Sequence, residues 1–239
     1  MIDASRPNVI LVNAGPHAHG CTDRALREVA AALEDNGVAA DIFWVGTKPL
    51  ASCIACKRCD KLGKCVFDDR VNEFTAIVRD YDGIVLGSPV HFGAATGAAT
   101  AFFDRAFYSL RRSAGDDGFR MKVGAAVASC RRAGNTATID QLNRYFQLLQ
   151  MPIATSRYWN IVHGATAEEV ERDAEGLQAM RFLSFPLLLT ATATLSPKAT
   201  STSRLVPRTG NVAHKLSRCA PNVRRRDRSN VCYSDRLRI

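Results

Sequence analysis

The chain has no run of about 20 apolar residues, the length a helix needs to cross a bilayer. Its longest uncharged apolar stretch, Phe182 to Pro197, is shorter, rich in threonine and interrupted by Pro186. It contains neither G-x-x-x-x-G-K-S/T nor G-x-G-x-x-G, so an NTPase P-loop is excluded and the dinucleotide fingerprint is missing. Acidic residues nearly vanish late in the chain: residues 182–239 hold 2 acidic and 11 basic side chains, against 21 of each in residues 1–181. The formal net charge of +9 therefore sits in the last quarter. A basic surplus confined there gives the body no electrostatic footprint for nucleic acid. Residues 182–239 read as a Ser/Thr/Arg-rich tail, disordered or non-native, with Leu205-Val206-Pro207-Arg208 resembling an added protease site. The alternative is a basic arm for nucleic acid or anionic lipid.

What is present is ordinary globular material, 46% hydrophobic and 23% charged over 239 residues, enough for one sizeable core. Met1 to Val12 followed by Asn13-Ala14-Gly15-Pro16 reads as a strand and a turn, not a secretory leader. We therefore expect a cytoplasmic protein without a membrane partner, whose eight cysteines are metal ligands or free thiols rather than disulfides.

Short apolar runs alternate with helical periodicity. Strands are expected at Val9–Val12, Asp41–Val45, Gly83–Gly87, Lys122–Ala128 and, more weakly, Ile153–Ser156. Between them lie helices: one capped by Thr22, one capped by Asp68 or Asp69, one marked by Phe103, Phe107 and Leu110, and one bearing Ile139, Leu142, Phe146 and Leu149. A last helix is expected over 167–181. Such alternation argues a parallel sheet with helices on both faces, whose ligands sit beyond the carboxyl ends of the strands. The domain so defined is residues 1–181, and its informative loops are 13–22, 46–68, 88–97 and 129–137.

The strongest signal is Cys53-x-x-Cys56-x-x-Cys59-x5-Cys65. Four thiolates within 13 residues can converge on one inorganic centre, and closely spaced C-x-x-C-x-x-C runs are the local signature of a [4Fe–4S] cube. Structural zinc uses two C-x-x-C knuckles set further apart, and a loop of free or redox-active thiols needs no metal. Lys57, Arg58, Lys61 and Lys64 surround the thiols and favour the thiolate form. Gly63 suits a turn. Asp69 suits a helix cap.

The first βα turn offers Gly15, Pro16, His17, His19, Gly20, Cys21 and Thr22 beside a helix start, where unpaired N–H groups and a positive dipole end attract an anion. A mononucleotide phosphate fits. His17 and His19 are either donors to it or solvated loop residues, and Cys21 on its own is a small turn residue. Off the third strand, Ser88, Pro89, Val90, His91, Phe92 and Gly93 put flat rings at the sheet edge, which suits a planar ring system, although a Gly-Ser-Pro turn is often only a turn. Arg131, Arg132 and Gly134 offer donors to a ring carbonyl or a nucleotide phosphate, or form a solvated basic turn. Asp104-Arg105 reads as an ion pair or cap.

Taken in order, the cysteine run with Asp68-Asp69, the Ser88–Gly93 loop, Phe103-Asp104-Arg105 and Arg131–Asn135 resemble the flavodoxin-like NADPH-dependent FMN reductase superfamily, in its iron–sulfur flavoprotein branch. The resemblance covers roughly Asn8 to Arg181. It implies a doubly wound five-stranded parallel sheet in 2-1-3-4-5 order with a cysteine-rich loop after strand 2, often dimeric or tetrameric. It implies FMN with its phosphate on residues 14–22, its ring bordered by Pro89–Gly93 and its polar edge near Arg131, Arg132 and Gly134. Cys53, Cys56, Cys59 and Cys65 would hold [4Fe–4S], and electrons would come from NAD(P)H or reduced ferredoxin and leave to a small acceptor. Three positions depart from the family's common residues: Gly15–Thr22 replaces a Ser-Pro-Arg and Asn-Gly-Asn-Thr pattern, His91 a Tyr, and Thr100 a Lys. A cluster-free NAD(P)H-dependent FMN or quinone reductase, and a non-enzymatic thiol or zinc module with a nucleic-acid-binding arm, are the competing readings.

Overall fold

Val9, Ile10, Leu11 and Val12 are each no more than 1% exposed, so this strand is covered on both faces, as its uninterrupted apolar run requires. The computed structural model describes residues 6–114 and 118–195. Strand β1 (Asn8–Asn13) lies between β2 (Ala39–Trp44) and β3 (Gly83–His91), with β5 (Val123–Cys130) and β6 (Ile161–His163) beyond. These five pair in parallel, in the spatial order β2-β1-β3-β5-β6. Counted in chain order without the short β4 (Ala94–Ala95), which turns back antiparallel on β3, that is the expected 2-1-3-4-5.

The period of two sorts the side chains between two cores. Ile10, Val12, Ile84 and Leu86 pack with Phe74 of α3 (Arg70–Ile77), Phe102 and Phe103 of α4 (Gly97–Ala114), and Leu142 and Phe146 of α5 (Asn135–Leu148). Val9, Leu11, Val85 and Val127 pack on the other face with Leu26, Val29 and Leu33 of α1 (Cys21–Asp35) and with α7 (Ala174–Leu195). Gly124 allows the close approach of α5: a Cβ there would stand 2.5 Å from the Phe146 ring.

Four expectations are corrected. The fifth strand is Ile161–His163, while Ile153 makes a single bridge to Gly124. The segment between them is held by Ser156 N donating to Asn160 Oδ1 at 3.3 Å and Asn160 Nδ2 donating to the Ala126 carbonyl at 3.0 Å. Thr22 does not cap α1. The helix starts at Cys21 behind Gly20, without a side-chain cap, and the Thr22 hydroxyl instead meets Ser129 Oγ at 2.8 Å.

The helix expected over 167–181 is two. A short α6 (Ala167–Val170) precedes α7 because the Asp173 carboxylate accepts from Gly176 N at 2.9 Å, an N-terminal cap that restarts the helix. Finally, the boundary expected at 181/182 falls inside α7, which runs through Pro186 to Leu195. Leu183, Leu187 and Ala191, four residues apart, are each 0% exposed, in the core that also holds α1 and one face of the sheet. Burying them offsets the hydrogen bond lost at Pro186, about 3 kcal/mol or more in a helix interior. The reading of the tail from residue 196 onward lies outside the described residues. No helix among the described residues is long and apolar enough to cross a membrane.

Leu187→Ala should lower stability by about 2–5 kcal/mol, read as a drop in the thermal unfolding midpoint; an unchanged midpoint would mean that residues past 181 do not pack. A second expectation concerns alkaline pH. The Tyr81 hydroxyl donates to Asp41 Oδ2 at 2.9 Å, and burial, reinforced by that carboxylate, pushes its phenol up to about 12. Since an unfolded phenol titrates near 10, this contribution is complete below pH ~10 and is lost as pH rises through about 12. Tyr81→Phe should flatten the stability decline across that window, measured by urea unfolding from pH 9 to 12.

Candidate functional site

At the carboxyl edge of the sheet the exits of β1, β3 and β5 are tied to one another. Asn13 is buried; its Oδ1 accepts from Gly15 N at 2.9 Å, and its Nδ2 reaches the His17 and Ala18 carbonyls at 3.5 and 3.4 Å. Trp44 Nε1 donates to the Gly15 carbonyl at 3.0 Å. Thr96 takes Ser88 Oγ through its N–H at 3.2 Å and donates its hydroxyl to the Ala14 carbonyl at 3.4 Å. With the Thr22–Ser129 contact, these bonds join all three exits. The loop presents main-chain groups around the uncapped start of α1, the arrangement that attracts an anion.

The two other loops touch each other. Gly134 has φ +87°, and a Cβ on it would lie 2.7 Å from both Gly93 Cα and Val90 Cγ1. Phe92 and Gly93, at φ +52° and +80°, form the two-residue turn of the β3–β4 hairpin. A left-handed Phe costs about 1–3 kcal/mol, and here it projects a fully exposed ring. His91 is exposed beside it, as are Arg131 and Arg132. Of the two loop histidines, His17 faces solvent, while His19 Nδ1 lies 3.3 Å from Asp23 Oδ2, which Arg27 also holds. Cys21 opens α1 with its Sγ 3.6 Å from the Gly164 carbonyl, and burial pushes its thiol up.

The cysteine loop forms a second, separate place. Cys53, Cys56, Cys59 and Cys65 line one narrow concavity, closed by Val66, Phe67 and the α4 residues Arg105, Tyr108 and Ser109. Cys53 and Cys56 are exposed, Cys59 is buried and Cys65 half-buried. Ala55 and Lys57, on either side of Cys56, take left-handed φ of +52° and +56°, and Gly63 closes the short α2 (Cys59–Leu62) at φ +69°. Cys59 has its thiol pushed up by burial first, then by the negative charges of Asp60, Cys56 and Cys65. Among the described residues no three His, Cys, Asp or Glu side chains close on a single metal ion. A mononuclear site of the zinc type is therefore not preformed.

Asp69 caps α3, accepting from Val71 N at 3.1 Å, and pairs with the fully buried Arg105. Asp104 instead accepts from the Tyr145 hydroxyl at 2.5 Å. Asp69 is the cap expected of it, whereas the pair or cap expected of Asp104-Arg105 is corrected: Asp104 turns to Tyr145 and Arg105 pairs with Asp69. The hub at Arg105 and the loop-shaping Asn13, Trp44, Ser129 and Thr96 were not foreseen. An arginine among Phe102, Phe103, Ala106 and Phe107 on an apolar helix face was the available signal for the first; the others carry none in one dimension.

Residues 7–166 match the family model described as NADPH-dependent FMN reductase. An iron–sulfur flavoprotein of Methanocaldococcus jannaschii is 32% identical over 184 residues, covering 73% of this chain and 92% of that protein. The iron–sulfur flavoprotein of Methanosarcina thermophila is 29% identical over 157 residues, covering 64% and 80%. Among solved structures, a flavodoxin, WrbA-like protein from Agrobacterium tumefaciens superposes with TM-score 0.52 at 14% identity, covering 79% of this chain and 98% of that one; this likeness speaks for the fold.

Gly134→Ala should lower the thermal midpoint by several degrees, because a Cβ meets both a left-handed backbone and the Gly93 main chain. Far-UV circular dichroism reads it, and wild-type melting would show that the two loops are not in contact.

Proposed function

The chain belongs to the NADPH-dependent FMN reductase family, in its iron–sulfur flavoprotein branch, and we propose that this FMN-dependent oxidoreductase passes electrons between NAD(P)H or a reduced ferredoxin and a small acceptor through FMN and a [4Fe–4S] cluster. The observation that carries the reading is the gathering of Cys53, Cys56, Cys59 and Cys65 around one concavity. A cube bonds each protein sulfur to a different iron, so its ligands surround it rather than meet at a point. Four cysteines lining one shared concavity support that reading. The donor set fits it: four thiols, one of them already accepting a charged N–H from Arg105.

For the nucleotide, the residues supply complementary groups. Gly15, Pro16, His17, His19, Gly20, Cys21 and Thr22 wrap the uncapped end of α1, where a phosphate gains main-chain N–H donors and the helix dipole. Asp23 in that first turn is held by Arg27 and His19, which offsets its repulsion of an anion. Ser88 braces the β3 exit from beneath, leaving Pro89, Val90, His91, Phe92 and Gly93 to border a flat ring. Gly134 lies against that border, and Arg131 and Arg132, exposed just before it in the same loop, would offer positive charge to the ring's polar edge. When bound, FMN accepts a hydride or single electrons and the cluster passes one at a time, so two-electron and one-electron partners become coupled. The protein's own part is to bind, orient and set charge; no acid–base side chain is required.

Lys57, Arg58 and Lys61 are exposed around the cysteine concavity, a positive rim that suits an acidic donor protein. We read the protein as a cytoplasmic homodimer or homotetramer, in a compartment that keeps the four thiols reduced. The cluster-free FMN or quinone reductase is the second reading, favoured by the lack of a tight metal-binding group among the described residues.

Anaerobic purification with added FMN, followed by absorbance and by iron and sulfide assay, separates the two. The proposal expects about four irons per chain with flavin. It also expects Cys56→Ser to lose most of the iron while keeping FMN. Flavin without iron supports the second reading, and a wild-type iron content in Cys56→Ser rejects the ligand assignment.

A further inference from the structure

Arg105 is 0% exposed in its side chain, in the middle of α4 and facing the inner wall of the cysteine loop. Buried guanidinium groups are costly unless every donor is used. This one is fully engaged. Nη1 and Nη2 grip Asp69 end-on at 2.8 and 2.9 Å. They also reach the Ala51 and Phe67 carbonyls, each at 3.4 Å, and the Phe67 ring lies 4.9 Å from the guanidinium carbon. An end-on grip leaves Nε unspent, and Nε donates to Cys65 Sγ at 3.3 Å.

Ala51 lies just before Cys53, and Cys65, Phe67 and Asp69 lie at the other end of the run. One side chain therefore closes both ends of the cysteine loop. Its position is set from outside the loop, because Asp69 is fixed as the cap of α3. Cys65 is held at its main chain as well: Asn72 Oδ1 accepts from its N–H at 2.9 Å, and Asn72 Nδ2 donates to its carbonyl at 3.1 Å. Cys53 and Cys56, by contrast, are exposed.

We propose that Arg105 is the positioning residue of the cysteine centre: it presents Cys65 as the preformed ligand on which the other three close, and its N–H bond to that sulfur raises the centre's reduction potential. This rests on the cluster reading above. The direction follows from charge. Reduction adds an electron to a sulfur-ligated centre, and a buried cation with a hydrogen bond to one sulfur stabilises the more negative state. The positioning half does not need the cluster, since every contact it invokes is between the protein's own groups.

The test uses the full chain and compares wild type with Arg105→Met and Arg105→Lys. Anaerobic protein reconstituted with iron and sulfide is titrated by spectroelectrochemistry and followed by electron paramagnetic resonance. The expected result is a midpoint shifted to more negative potential in Arg105→Met with an altered signal, and a partial return in Arg105→Lys, whose single ammonium keeps the charge but cannot span Asp69 and Cys65 together. A folded, iron-loaded Arg105→Met with wild-type midpoint and signal overturns the proposal. If Arg105→Met does not fold, Arg105→Lys decides alone, and a wild-type midpoint and signal there overturn it.

A second arm measures hydrogen exchange over residues 59–69 in iron-free protein. The proposal expects clearly faster exchange in either variant, and equal exchange overturns the positioning half. A wild-type chain that takes up no iron removes the cluster reading and the potential half with it, while the exchange arm still decides what Arg105 does.

Discussion

A buried charge tolerates no vacancy around it, and the Arg105 guanidinium imposes that constraint on the cysteine loop and the two helices beside it. It needs Asp69, two carbonyls and a sulfur to be in place together. Those groups come from the two ends of one long loop. The loop, α3 and α4 therefore form one fixed unit, although residues 51–58 are exposed. The burial that makes Arg105 costly also makes it directional: with no water to replace a lost partner, the fork holds its geometry.

The carboxyl edge of the sheet works by the opposite means. Around β1, β3 and β5 few charges are buried, and neutral hydrogen bonds through Asn13, Thr22, Ser88, Thr96 and Ser129 shape the main chain. Gly93 and Gly134 let two loops approach where a Cβ would not fit. One edge thus presents backbone donors and flat surfaces, while the cysteine loop presents soft sulfur under a buried cation. Such a division would suit the two cofactors proposed above, since an organic ring needs shape and an inorganic centre needs ligands and electrostatic support.

Much of this was legible in the sequence. Val9–Val12, Gly83–Gly87 and Val123–Ala128 are uncharged runs without a polar side chain, and a strand buried on both faces has to look that way. The cysteine spacing announced a common purpose without geometry, and Asp69 announced its cap. The failures have physical causes. Ile161–His163 was missed because Ile161 and Val162 are its only apolar residues, and its pairing is set by a tertiary contact, Asn160 to the Ala126 carbonyl. The continuation of α7 was missed because Pro186 is a sound local stop signal that the burial of Leu183, Leu187 and Ala191 overrides. Thr22 has the look of a cap, but a partner 107 residues away at Ser129 claims its hydroxyl.

Diffraction at the iron absorption edge, on crystals grown without oxygen in the presence of FMN, addresses the account most directly. The account expects an anomalous peak inside the concavity bounded by Cys53, Cys56, Cys59 and Cys65, on the Arg105 side of the loop, with flavin density against the Ser88–Gly93 and Arg131–Gly134 loops. Flavin density in place with no anomalous signal among the four sulfurs would contradict it.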